Sequence, residues 1–338
     1  MAIFLGAVYL WTAPGRITFP DDEIVFQTAE SLWLRGDRAI AGIPKRTGEP
    51  RHLPSGTFGW ALGRDGRRYG FFGSGLAVAA LPLYGLADAT AAAVPETWWH
   101  AVRSDHYFFH ARGPRADWTR LVVSLTNTWV TALTAALAFA WLRVLGIGRG
   151  AAIAAALAYG LGTAAWPYSR TFLSEPLSGL CLTASALMIA AFHRARGGGA
   201  GWLWGAGLIA GLAAHVHVLN LSALTWLFGA AVGPLVAAGR ARAERRGCVG
   251  AMALGGLAIA GLGVDQALRF GSPLETGRFG HYSGWVSPWA GLAALLLAPG
   301  RSVLLYAPAA TLGLAGARAL GRRLPAGAWF VLATAALR

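Results

Sequence analysis

Asp21, Asp22 and Glu23 stand side by side, directly after a short apolar segment and directly before Ile24–Gly36, whose pattern predicts an amphipathic helix. In a chain this apolar, adjacent carboxylates at a helix start point to acid–base chemistry at a membrane surface. Capping offers a plainer account: Asp21 after Pro20 can cap the helix, with Asp22 and Glu23 favoured in its first turn by the helix dipole. Three acids exceed what capping needs. Arg170, Arg278, Arg301 and Lys45, the single lysine, are the cations singled out beside them. Glu175 precedes Pro176 and reads equally as a helix start or as a site carboxylate. With Arg170 it could also form a structural ion pair.

The elements that must position these groups are apolar helices. The chain has 338 residues, 55% hydrophobic and 13% charged, and several of its apolar runs are too long and uniform for soluble core helices. The fold class expected is all-α, a polytopic transmembrane bundle. Candidate spans are Leu121–Val144, Ala151–Trp166, Leu177–Phe192, Trp202–His215, Val218–Ala238, Val249–Leu268 and Val303–Leu320. With the ends counted, about nine helices cross or enter the bilayer. Met1–Pro14 lacks a basic n-region and is shorter than a span, and Leu324–Leu337 stops where a helix should still be running, so a fragment incomplete at both ends is expected. The net charge of +14 is spread between apolar runs with no single basic stripe, which excludes nucleic acid as the partner. Cys181 and Cys248 have no Cys or His at ligand spacing, so neither a disulfide framework nor a zinc site is indicated.

Arginines in alternate short connections set the orientation. Arg143 with Arg149, Arg194 with Arg196, the cluster Arg240 to Arg246, and Arg318 to Arg323 face the cytoplasm. The connections around Tyr168–Pro176, His215–Leu219 and Arg269–Ser302 then face outward, with the segment before Leu121. Only Glu244 of the fifteen acids falls in an inner connection, an enrichment that suits an outer working surface. Phe71–Ala87 is apolar enough to span, but Pro82, Asp88 and its glycines weaken it as a simple span. Read as interfacial or re-entrant, it leaves residues 15–120 as one long outer loop carrying membrane-hugging helices. Long loops of this kind are usually functional.

Several patterns in order resemble the GT-C superfamily of polytopic glycosyltransferases, which includes protein O-mannosyltransferases and aminoarabinose transferases of lipid A. Asp22-Glu23 followed by a helix ending Leu34-Arg35-Gly36-Asp37 looks like the family's acidic pair and the Gly-Asp after it. Tyr69–Leu86 resembles its juxtamembrane helix. Thr119-Arg120-Leu121 resembles the opening of its second true span, Arg143–Arg149 its tight inner turn, and Trp166–Glu175 its second outer turn. The resemblance covers residues 10–195, and Glu275-Thr276-Gly277 with Ala298–Ser302 and Tyr306–Pro308 is similar to one bacterial branch. It implies transfer of a sugar from a polyprenyl-phosphate donor to a lipid, glycan or protein acceptor on the outer face of a bacterial plasma membrane. Asp22 is then the general base of an inverting transfer, its pKa raised by desolvation and by Asp21 or Glu23. Arg170, Arg278, Arg301 and Lys45 become candidates for the departing phosphate, and His281, in a Gly-rich outer connection, for a sugar or acceptor contact. No cofactor is singled out, and a divalent metal stays open without support in the sequence.

Two other function classes stay open. A transporter or flippase needs ionisable groups deep in its spans, and these are nearly absent. A noncatalytic membrane protein could retain the fold without activity. His215 and His217, two residues apart, point to different faces of a helix and fit local hydrogen bonding better than a metal.

Overall fold

The computed structural model describes residues 1–41, 59–95, 97–98, 114–195, 199–240, 242, 244–278, 287–300, 302, 305 and 316. Lys45, His281 and Arg301 lie outside the described residues, as does most of the span expected over Val303–Leu320. The described chain is mostly helical. Four helical stretches are long and apolar enough to cross a membrane: Arg115–Val144, Glu175–Arg194, Val218–Val236 and Arg245–Phe270.

The first stretch comprises α5 (Pro114–Ser124) and α6 (Thr126–Val144) with a break at Leu125. There Ser124 Oγ donates to the Leu121 carbonyl and Thr126 Oγ1 to that of Val123, local captures that compete with the regular ladder. The others are α9 (Glu175–Arg194), a 3-10 turn running into α11 (Leu221–Ala237), and α12 (Arg245–Phe270). The terminal helix, already expected to be short, and two of the expected spans fall below what a bilayer crossing needs. They are α1 (Ala2–Thr12), α7 (Arg149–Gly162) and α10 (Gly201–Val216), of 11, 14 and 16 residues. In α7 the ladder ends at Gly162 and Thr163 is extended, so the run to Trp166 does not stay in one helix.

Small residues set the tightest helix pair, α10 against α12. A Cβ added to Gly207 would run into the Ala251 carbonyl, and one on Gly211 would lie 2.6 Å from the Gly255 oxygen. Such close approach replaces the hydrophobic drive that lipid cannot supply between helices. Many large apolar side chains on α1 and α12 point outward, among them Phe4, Trp11, Leu257 and Leu268, and their exposure suits lipid tails.

The segment before α5 is where the structure departs most from expectation. Helix α2 (Pro20–Arg35) starts with Pro20 at its first position and Phe19 as the cap, and ends at Gly36, whose φ of 66° is left-handed. Asp21 therefore sits in the first turn and is not the cap. Nor is α2 an amphipathic surface helix, since Asp22 to Ala29 and Ser31 are all buried. One flank is covered by a two-stranded antiparallel ribbon, β1 (Trp60–Leu62) and β2 (Arg68–Gly70), with Ile24, Ile40 and Trp60 in one cluster. The ribbon is the one departure from an all-α chain among the described residues. The other flank packs on α3 (Gly75–Ala79) and α4 (Leu81–Thr90) through Phe26, Leu76 and Tyr84. Phe71–Ala87 thus contains two short helices separated at Ala80, not one continuous one.

Backbone contacts dock this segment on the bundle. A Cβ on Gly73 would meet the carbonyl oxygens of His215 and Val216, so only glycine lets the 71–74 turn lie against the end of α10. Asp265 and Arg269, in the last turns of α12, form a 2.6 Å ion pair, and Arg38 pairs with Asp265 as well. Arg269 also donates to the Gly70 carbonyl at 3.0 Å. Asp265 falls within the expected span Val249–Leu268, but close to its end and not deep in it. These side chains tie the segment before α5 to the end of α12.

Candidate functional site

The turn before α9 contains a short helix, α8 (Ala165–Tyr168), followed by Ser169–Ser174. Asn127, fully buried at the start of α6, clamps that turn. Its Nδ2 donates to the carbonyls of Thr171 at 2.9 Å and Leu173 at 2.8 Å, on either side of Phe172. The Phe172 ring is buried in the core shared with α2, so its backbone N–H has a fixed direction. That N–H donates to Asp22 Oδ2 at 3.1 Å. The turn and the acidic cluster, 150 positions apart, are one site.

Asp22 is fully buried, and its second oxygen, Oδ1, has no hydrogen-bond partner. A buried carboxylate oxygen left unmatched favours the protonated form. Burial pushes Asp22 up to about 7; the Phe172 and Phe19 backbones oppose the rise, and Asp21 and Glu175 add to it. Asp21 is half-buried and is also raised, first by burial; nearby Arg278 pulls it down and Glu175 pushes it up. The carboxylates that converge are therefore Asp21, Asp22 and Glu175. Glu175 lies at the start of α9, exposed.

Glu23 points elsewhere. Its two oxygens take Arg120 Nε at 3.0 Å and Nη2 at 2.7 Å, and Gln27 donates to it at 3.1 Å. Arg120 stacks over Phe26 with 4.4 Å to the ring centre. A buried bidentate pair satisfied on this scale neutralises Glu23, so it supplies neither the repulsion nor the catalytic carboxylate expected of it. One step of helical rotation separates it from Asp22, and that step sends the two carboxylates to different partners.

Arg170 is exposed at the turn and makes no ion pair with Glu175. Arg278 sits against the faces of Phe71 and Phe72, at 5.2 and 5.7 Å, on the Asp21 side of the site. His217 Nδ1 accepts from the Leu219 N–H at 3.2 Å, the local contact expected, whereas His215 bonds to the Ala258 carbonyl at 2.8 Å, 43 positions away, and so ties α10 to α12. Among the described residues no three or more His, Cys, Asp or Glu side chains are grouped as a metal ion would need.

Sequence reasoning missed Asn127, the Phe172 N–H, Arg269 and Asp265. Asp265 and Arg269 are spaced i,i+4, a pattern visible in the chain. Asn127, a lone amide in an apolar helix, gives little warning of its role. No protein-family model matches this chain, and no curated protein or solved structure matches it either.

Proposed function

We propose that the chain is a polytopic membrane glycosyltransferase that moves a sugar from a polyprenyl-phosphate donor to an acceptor on the extracytoplasmic side of a bacterial plasma membrane. The observation that carries the reading is Asp22: a buried carboxylate raised to about 7, one oxygen held by the Phe172 N–H and the other unmatched. A base with a pKa near the working pH combines a substantial ionised fraction with real proton affinity. In the proposed step Asp22 Oδ1 takes the proton of an acceptor hydroxyl while its oxygen attacks the anomeric carbon. The bond from that carbon to the phosphate oxygen breaks on the opposite face, and the phosphate leaves with the electron pair. Arg278 and Arg170 are the described cations nearest to that duty. Because Oδ1 is enclosed, substrate entry has to part α2 from the 169–174 turn, and the exposed Glu175 and half-exposed Asp21 mark the side of entry. The donor tail would lie in the surrounding lipid.

Incubating the purified full-length protein with labelled polyprenyl-phosphate sugars, followed by mass analysis of acceptors, tests the reading. Transfer by the native chain and its loss in Asp22→Asn are expected. Release of sugar to water alone, or undiminished transfer by that variant, would refute it. Sidedness is tested with a cysteine at position 170 in a background lacking Cys181 and Cys248. Labelling by an impermeant reagent from the cytoplasmic side alone would refute the orientation.

A further inference from the structure

A cavity with cationic lining lies on the Arg278 side of the acidic cluster. Arg269, Arg278, Gln266, Thr276 and His217 line a cavity of about 40 Å³ between the Phe71–Gly73 segment and the end of α12. That is more than the roughly 10–15 Å³ one water needs on this measure.

Its charge is unbalanced. Asp265 is shared by Arg38 and Arg269, so two guanidinium groups have one carboxylate between them. Among the described residues Arg278 makes no ion pair within 4 Å; Asp21 is the carboxylate whose charge it feels, and the faces of Phe71 and Phe72 against it carry no formal charge. Arg269 is 7% exposed, and its Nε, like that of Arg278, is buried without a hydrogen-bond partner. Two unmatched Nε–H donors on residues that line one small cavity, with the guanidinium groups of Arg38, Arg269 and Arg278 against the carboxylates of Asp265 and Asp21, favour an anion there, because an unmatched buried donor is unfavourable. The Thr276 hydroxyl accepts from the Arg278 N–H at 3.3 Å, which leaves its own proton free to donate.

We propose that this cavity binds a single phosphate group, with the Nε–H groups of Arg269 and Arg278 as its charged donors and Gln266 and Thr276 as its neutral ones. The inference concerns binding alone and stands whether or not the chain transfers sugar. The phosphate arrives either free or as the headgroup of a lipid.

Titration calorimetry on the purified full-length protein in detergent, at constant ionic strength, tests this with inorganic phosphate, dihexanoyl phosphatidic acid and acetate. Saturable binding of a phosphate group is expected, weakened at least 10-fold in Arg278→Gln and several-fold in Gln266→Leu. Arg269 is left intact because it also holds Gly70 and Asp265. Tighter binding of the short-chain lipid identifies a headgroup, and equal or tighter binding of inorganic phosphate identifies the free ion; either result supports the site. Failure of both to bind, equal affinity for acetate, or unchanged affinity in Arg278→Gln overturns it. Should Arg278→Gln not fold, Thr276→Cys in a background lacking Cys181 and Cys248 serves instead. Phosphate should slow its alkylation by N-ethylmaleimide at least 5-fold, and an unchanged rate would sink the proposal.

Discussion

Replacing Asp22 by Asn should make the protein more stable at alkaline pH while removing its activity. Asn keeps an oxygen to accept from the Phe172 N–H and keeps the side-chain shape, but it cannot ionise. Asp22 titrates near 3.8 when unfolded and at about 7 when folded. Below pH 4 both states hold the proton and the native and variant proteins differ little. Between about pH 4 and 7 the unfolded native chain gives up its proton while the folded one retains it, so folding stability falls as pH rises. Above 7 the loss is complete. A rise from 3.8 to about 7 amounts to roughly 4 kcal/mol, an upper figure because water can enter around an ionised group. Asn is exempt from that loss. Thermal unfolding followed by tryptophan fluorescence should show melting points that coincide near pH 4 and separate with rising pH, Asn above Asp by on the order of 5 °C at pH 8. Transfer by the native protein should climb with pH through about 7, as the base ionises, and stay at background in the variant. A melting gap that does not change with pH would show that Asp22 is not held protonated by its surroundings, and the assignment of the base would fall with it.

Glu23→Gln strands Arg120 in the core beside Phe26 and should cost about 3–5 kcal/mol, seen as a fall in folded yield and melting temperature, because a buried charge loses its partner. Asn127→Ala frees the Thr171 and Leu173 carbonyls and the Phe172 N–H between them. It should lower stability by about 1–3 kcal/mol and turnover by about 10- to 100-fold through misplacement of the turn, measured by melting and transfer assays side by side. Gly207→Val drives a side chain into the Ala251 carbonyl and should cost about 1–3 kcal/mol, with α10 and α12 pushed apart and a broader size-exclusion profile. An unaltered profile and melting point would mean the two helices do not pack through their glycines.

The sequence alone determined the helical character and the apolar stretches later seen at Arg115–Val144, Glu175–Arg194 and Arg245–Phe270, since runs of apolar residues near bilayer length have few other solutions. It also singled out Asp22, because acids are conspicuous where almost everything else is apolar. Lengths were less legible. Ala151–Trp166 looks continuous by composition, yet the ladder ends at Gly162, where the chain turns toward α8. What distinguishes Asp22 from Glu23 could be decided only in three dimensions: both are acidic, adjacent and buried, but one meets a backbone N–H and an empty side, the other a guanidinium contributed 97 positions later. The burial of α2 on both flanks is likewise a tertiary result, because its pattern does not reveal that a β-ribbon covers the side where polar residues would ordinarily meet water. Hydropathy is local and fixes which segments leave water. The ionisation of a carboxylate depends on which distant donors, charges and surfaces surround it, and those are brought there only by the fold.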